Sequence, residues 1–280
     1  HFGTLNGFGS FYDPSTLIRD DAFIEPERDD FYYTDAISDE AVQMIAQIDE
    51  NERPFFLHVA YTAPHWPLHA PEENIETYRR QYLAKGWDEI RKMRHEEMKG
   101  LGIVPGSWDI SARDDLVPEW DDVEEKDWHD ARMAVYSAMI DRMDQGIGKI
   151  VQELEGQGVL DQTLIMFLSD NGSSCEFLME EGILQLAPKT TRDGRTIRSG
   201  NVTGVIPGLA DTYMSYGRPW ANVSNTPFRK FKSWTHEGGI ASPFICYWPT
   251  QVPAGRLVHT PAQVMDVLPT CLEVAGVEYP

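Results

Sequence analysis

The sequence predicts an α/β layered fold in which a mostly parallel central sheet is flanked by helices. Helix-periodic and strand-like segments alternate along the chain, which is the pattern of layered α/β domains. One strand candidate, residues 55–61, is apolar on both faces, as a strand buried in a parallel sheet is. With 280 residues, 41% of them hydrophobic and 11% aromatic, the chain is long enough to bury about 75% of its unfolded surface, and wholesale disorder is excluded.

The elements follow in order. Residues 1–33 are rich in Gly, Pro, Asp and aromatics and read as irregular surface structure with turns. Asp35 opens a helix whose Ile37, Ala41, Ile45 and Ile48 share one face, and Asn51-Glu52-Arg53-Pro54 ends it. The apolar run from Phe55 to Tyr61 is of strand length and leads into Thr62-Ala63-Pro64-His65-Trp66-Pro67-Leu68-His69-Ala70-Pro71, whose three prolines in eight residues forbid regular pairing. Residues 74–99 read as helical with a break near Gly86, and residues 100–126 as a solvated acidic connection. Trp128, Ala131, Val135, Ala138, Met139, Ile147, Ile150, Val151 and Leu154 then keep the 3.6-residue period of a long amphipathic helix. The strand Thr163-Leu164-Ile165-Met166-Phe167-Leu168 delivers Ser169-Asp170-Asn171-Gly172 at its carboxyl end. Residues 173–231 show no period and read as a long loop, of the functional or mobile kind. A strand candidate over residues 240–248 and a helix over residues 261–275 close the chain.

Composition removes several function classes. The longest wholly aliphatic or aromatic run, residues 164–168, is about five residues, far short of the ~20 that cross a bilayer. Three cysteines cannot make a disulfide framework. Lys plus Arg number 24 against 45 Asp plus Glu, a net charge of −21, which argues against nucleic acid as a partner because that binding rests on neutralised phosphates. An anionic substrate is still admissible, because the local field of a pocket is set by a cation and a lysine rather than by total charge.

Open α/β sheets bind ligands beyond the carboxyl ends of their strands, and three such places carry reactive groups. Asp170 and Asn171 offer a carboxylate and an amide oxygen side by side, the donors that hard cations such as Ca²⁺ take; Asp-Asn-Gly after a strand is equally a good turn. His65, in the proline-stiffened loop, has the chemistry to protonate a leaving group near neutral pH, or else is a histidine bonded within its loop. Lys232 pairs with a tetrahedral anion if held in a partly dry site, where a unit charge pair at 4 Å is worth ~4 kcal/mol against ~1 in water, and is otherwise a solvated cation. His69 shares the ambiguity of His65, and His58, inside the strand candidate, reads as a core histidine.

Pro54-Phe55-Phe56-Leu57, Ala63-Pro64-His65-Trp66-Pro67, Tyr136-Ser137-Ala138-Met139-Ile140-Asp141 with Met143-Asp144, Leu168-Ser169-Asp170-Asn171-Gly172, Lys232 five residues before Glu237-Gly238-Gly239, and Asp266-Val267-Leu268-Pro269-Thr270 stand in this order. In this order they resemble the sulfatase family of the alkaline-phosphatase-like superfamily. The resemblance implies an alkaline-phosphatase-like fold, incomplete at both ends in these residues. It makes Asp170 and Asn171 the second pair of metal ligands, for Ca²⁺ with Mg²⁺ second. It makes His65 the histidine that contacts the sulfate and protonates the leaving oxygen, and Lys232 the lysine that binds both. The implied activity is hydrolysis of a small-molecule or carbohydrate sulfate ester by a hydrated formylglycine made from Cys or Ser in C/S-x-P-x-R.

Cys175, Cys246 and Cys271 are followed by Glu176-Phe177, Tyr247-Trp248 and Leu272-Glu273, so none fits that motif. The family's paired N-terminal Asp ligands and its Gly-Lys-Trp-His segment are also absent. The resemblance therefore makes residues 1–280 the middle and C-terminal portion of a sulfatase catalytic domain. The formylglycine is expected upstream and a C-terminal subdomain beyond, and these residues alone are expected to be inactive. Related phosphonate and phosphodiester hydrolases carry Asp-His where this chain has Asp170-Asn171, which favours the sulfate ester; a phosphodiester hydrolase and a non-catalytic anion-binding module are the alternatives. The resemblance alone favours a periplasmic or secreted location. Within residues 173–231, Arg192, Arg195, Arg198, Tyr213, Tyr216, Trp220 and Asn225 are expected to line the pocket, the aromatics reading equally as sugar- or aryl-stacking and as packing residues, with His236 as a further substrate contact, and Asn201 and Asn222 stand in glycosylation sequons.

Overall fold

A computed structural model describes residues 1–5, 9–28, 30–48, 54–179 and 188–278. The centre of the molecule is the helix α4 (Lys126–Gly156), at 31 residues the longest element. Its apolar stripe buries Trp128, Ala131, Ala134, Val135, Ala138, Met139 and Met143, the face that the 3.6-residue period marks. Two helices pack on it, α1 (Tyr33–Ala46) and α2 (Glu72–Tyr78). Arg142 on α4 clasps both oxygens of Asp35 on α1, at 2.7 and 2.6 Å. This bidentate fork is the strong form of an ion pair.

The break expected near Gly86 separates α2 from α3 (Gly86–Gly100). Asp130 of α4, fully buried, holds the corner: it accepts from Arg79 at 2.7 Å and from the backbone N–H groups of Arg80 and Tyr82 at 2.8 and 3.0 Å. Gly86 lies at φ +62, and a Cβ there would fall inside the Trp120 indole, so only glycine admits both the turn and the ring. Trp87 then packs edge-on against Trp120 at 4.6 Å and Trp220 at 5.7 Å. The acidic connection 100–126 is therefore not simply a solvated loop. Val104, Val117 and Trp120 are buried, and Arg113 ties Asp88 to Glu119 at 2.8 and 3.0 Å, so its charges are partly paired and its rings reach the core.

The strands depart from expectation. Residues 1–33 contain a three-stranded antiparallel sheet, β1 (Phe2–Thr4), β2 (Leu17–Arg19) and β3 (Ala22–Phe23); strands this short leave almost no alternation to read. β4 (Ile165–Leu168) pairs antiparallel with β7 (Phe244–Tyr247) in register Ile165↔Tyr247 to Leu168↔Phe244. The long loop 173–231 holds two-residue strands β5 (Arg198–Ser199) and β6 (Thr212–Tyr213), paired in parallel, and the helix α5 (Gly217–Ser224). Its described residues include the buried Tyr213, Met214, Tyr216, Trp220 and Val223, which belong to the core. A one-turn α6 (Glu237–Ile240) precedes β7, and α7 (Val267–Val274) ends the chain.

Helices and strands are thus mixed, as an α/β fold requires, but a mostly parallel central sheet is not formed among the described residues. Residues 55–61 pair with no strand among the described residues, and Phe56 is 77% exposed; β7 is exposed on both faces. Apolar composition on both faces reports what a strand would bury, not whether a neighbour stands beside it. These residues and β4, β7 and α7 line one open concavity of about 3650 Å³, several times the ~300–1,000 Å³ of a small-ligand pocket. No helix among the described residues is long and apolar enough to cross a membrane.

Candidate functional site

Three segments far apart in sequence meet at the carboxyl end of β4. The first is the elbow Ser169-Asp170-Asn171-Gly172. The Ser169 hydroxyl donates to the Asn171 carbonyl at 3.1 Å, and Asn171 Nδ2 donates to the Gly172 carbonyl at 2.9 Å. The amide N–H₂ is thereby engaged and Oδ1 is left as an acceptor. Asp170 is exposed, and its carboxylate makes no hydrogen bond or ion pair with the described residues. The segment bends sharply, and the Asp170 carboxylate and Asn171 Oδ1 are left as acceptors.

The second segment, residues 225–240, is stitched to the elbow by backbone. Gly172 N–H donates to the Gly239 carbonyl and Lys232 N–H to the Ser173 carbonyl, each at 3.0 Å. Asn225 bridges them: its Oδ1 accepts from Ser173 N–H at 2.9 Å, and its Nδ2 donates to the Lys230 carbonyl at 2.8 Å. The approach is so close that a Cβ on Gly172 would collide with the Gly238 carbonyl, and one on Gly238 with the carbonyls of Arg229 and Lys230. The glycines of Asn-Gly and Glu-Gly-Gly are therefore what lets the lysine loop lie against the strand end.

The third segment carries His65. Its N–H donates to the Thr62 carbonyl at 2.9 Å, closing a turn, and its ring meets the Trp66 carbonyl through Nδ1 at 2.9 Å. A carbonyl only accepts, so Nδ1 carries the hydrogen, and Nε2 lies 3.3 Å from Lys232 Nζ as the acceptor of the ammonium's proton. His65 and Lys232, 167 positions apart, form one pair. Beside them Glu176 accepts from Trp66 Nε1 and from Ser174 Oγ. Burial raises its carboxyl, but those two donors and the charges of Lys232 and His65 outweigh burial and hold it below the usual carboxylate range.

Other candidates go elsewhere. His69 is fully buried. Its Nε2 donates to the Thr212 carbonyl at 2.7 Å and its Nδ1 accepts from Phe11 N–H at 3.3 Å, while burial lowers its pKa to about 4. His58, expected in the core, is exposed. Tyr213, Tyr216 and Trp220 are buried packing residues, and Tyr216 also borders the open concavity. Arg195 and Arg198 pair with Asp193 and Asp211 at 2.8 and 2.9 Å, and Arg192 approaches Asp13 at 4.0 Å. Asn225 holds the site loops together, and His236 stands at the N-cap position of α6 without a side-chain capping bond. Both sequon asparagines are buried: Asn201 bonds Ser215 Oγ at 3.1 Å and Asn222 accepts from Asp114 N–H at 3.3 Å. Sequence reasoning missed Glu176 as a site residue, and it placed Asn225 at the pocket without its role as the bridge between the two loops. Glu176 sits in no motif, and its Trp66 partner is 110 positions away.

The donor set bears on a metal. Asp170 and Asn171 supply oxygens of the kind Ca²⁺ and Mg²⁺ take, two of the about 6–8 that Ca²⁺ wants, and the carboxylate is otherwise uncommitted. No group of three or more His, Cys, Asp or Glu side chains gathers among the described residues. The two residues fit one side of a cation site.

Comparison with known proteins places this geometry. The sequence model of the family described as Sulfatase matches residues 2–277. An uncharacterized sulfatase of Schizosaccharomyces pombe is 33% identical over 86% of this chain and 43% of its own length. The arylsulfatase of Klebsiella aerogenes is 31% identical over 99% of this chain and 56% of its own. A solved structure described as Ps i-CgsB in complex with k-i-k-neocarrahexaose shares the fold at a TM-score of 0.55, with 23% identity over 94% of this chain and 38% of that one. The chain belongs to the sulfatase family, whose members use a metal and a formylglycine. It spans about half the length of these two relatives.

Proposed function

We propose that the protein containing this chain is a sulfuric ester hydrolase, cleaving R–O–SO₃⁻ with water to ROH and sulfate. Residues 1–280 contribute part of its catalytic domain. The observation that carries the reading is the His65–Lys232 pair at 3.3 Å, on a loop whose backbone is bonded to the Asp170-Asn171 elbow. An imidazole and an ammonium beside hard oxygen donors suit a tetrahedral anion with a departing alkoxide or phenoxide.

Each residue has one task. Lys232 binds the ester's non-bridging oxygens and the oxygen that departs. As the ammonium turns to the anion, it frees His65 Nε2 to take a proton from solvent, and the imidazolium so formed passes that proton to the departing oxygen; Trp66 O keeps Nδ1 fixed throughout. Asp170 and Asn171 hold a divalent cation, Ca²⁺ before Mg²⁺, which when bound offsets sulfate charge. The formylglycine that the family uses, supplied by residues outside this chain, contributes the nucleophile.

The test is turnover of an aryl sulfate by the natural protein. Lys232→Ala and His65→Ala are each expected to lower kcat/KM by about 10²–10⁴-fold. Chelation is expected to abolish turnover, with Ca²⁺ restoring more than Mg²⁺ and Asp170→Ala removing the restoration. Faster cleavage of a phosphodiester than of the sulfate ester, or turnover indifferent to Lys232, would overturn the assignment.

A further inference from the structure

Glu176 lies six residues beyond Asp170, and nothing in the sulfatase chemistry above uses it. Its Oε2 accepts from the Trp66 indole N–H and from the Ser174 hydroxyl, the latter at 2.9 Å. Its backbone is also held: Ser215 Oγ donates to the Glu176 carbonyl at 2.6 Å, and Ser215 N–H donates to Asn201 Oδ1 at 2.8 Å. The carboxylate is thus a fixed acceptor on the outer wall of the site.

Trp66 transmits that position. Its ring lies 4.8 Å from the His65 ring at a 48° tilt, and 6.1 Å edge-on from the buried Tyr213. Its carbonyl receives His65 Nδ1–H. The His65 ring thus meets Trp66 twice, touching the indole by ring contact and bonding the backbone carbonyl. A bond to an ionised acceptor is roughly twice as strong as a neutral one, and the Trp66–Glu176 bond anchors the N–H edge of the indole.

We propose that Glu176 is a positioning residue: by holding the Trp66 indole it sets the plane of the His65 ring against Lys232. The inference rests on His65 acting at the departing oxygen. A ring turned away by a fraction of an ångström still binds the ester through Lys232 but delivers its proton poorly, so the effect belongs in kcat.

The experiment is a double-mutant cycle in the natural protein, assayed on an aryl sulfate. Glu176→Ala is expected to lower kcat roughly tenfold or more with KM within about twofold. Glu176→Gln, whose amide oxygen accepts the same N–H, is expected to recover most of that. Trp66→Phe, which keeps a ring and loses the donor, falls to the level of Glu176→Ala, and the double variant falls no further. Multiplicative losses, a Gln variant as impaired as Ala, or a rise in KM alone would overturn it. The two readings fail separately. If the natural protein cleaves no sulfate ester, the activity falls, while the coupling is still read by NMR: the Trp66 indole N–H and the His65 ring resonances are expected to move together in Glu176→Ala and to stay near wild type in Glu176→Gln. Independent or absent movement overturns the positioning role whatever the activity.

Discussion

His69 is a residue whose stability contribution follows directly from its surroundings. Its neutral ring donates from Nε2 and accepts at Nδ1, so a second proton would face the Phe11 N–H and bring an uncompensated charge into the core. Burial lowers its pKa from 6.5 to about 4. Burial, with Arg132 beside it, lowers His129 to about 3. The sign follows: below pH 6.5 the unfolded chain takes up protons that the folded chain refuses. The stability present above pH 6.5 is therefore lost as pH falls towards 4 for His69 and towards 3 for His129. A shift of this size for His69 corresponds to about 3 kcal/mol. Urea unfolding at pH 7.5 and pH 4.5 is expected to give a lower midpoint at the acidic value, with a smaller difference when His69 is replaced by Gln. His58, His65 and His69 also mark a limit of reading residues singly. Within twelve positions one is exposed, one faces a lysine and one is core, and the choice depends on what packs against each.

At the scale of elements, the site is an arrangement of backbones made possible by missing side chains. Gly172→Ala is expected to destabilise by about 1–3 kcal/mol, as overpacking does, because the new methyl meets the Gly238 carbonyl. The Lys232 loop should move with it, so turnover falls beyond what the stability loss explains. Asn225→Ala leaves the part-buried Ser173 N–H and Lys230 carbonyl unpaired and is expected to cost about 2 kcal/mol, at the low end of ~1–3 per orphaned group. Denaturant midpoints check both. The two main helices and the strand ends at Leu168 and Tyr247 were legible because their periods or apolar runs are long. The loop 173–231 was not: residues 212–217 and 220–223 are buried in unbroken runs, polar residues included, which leaves no local period.

Over the whole molecule, charge and apolar exposure dominate. A net charge of −21 opposes compaction, and salt screens it over a Debye length of about 8–10 Å. Raising NaCl from about 50 to 500 mM is expected to raise the melting temperature of the 280-residue chain by several degrees; a fall would mean that ion pairs such as Arg142–Asp35 outweigh the repulsion. The apolar wall of β4, β7 and residues 55–61 bears on the fold class: its composition was readable, its partners were not. The sequence by itself determined the helices, the strand ends and the ordered motifs of a sulfatase, because hydrophobic period and local turn chemistry act between neighbours along the chain. Only the tertiary structure decided that His65 meets Lys232, that Asn225 and three glycines bind the lysine loop to the Asp170 elbow, and that Glu176 reaches Trp66. Those contacts span tens to more than a hundred residues, and close approach across such distances leaves no periodic trace in the chain.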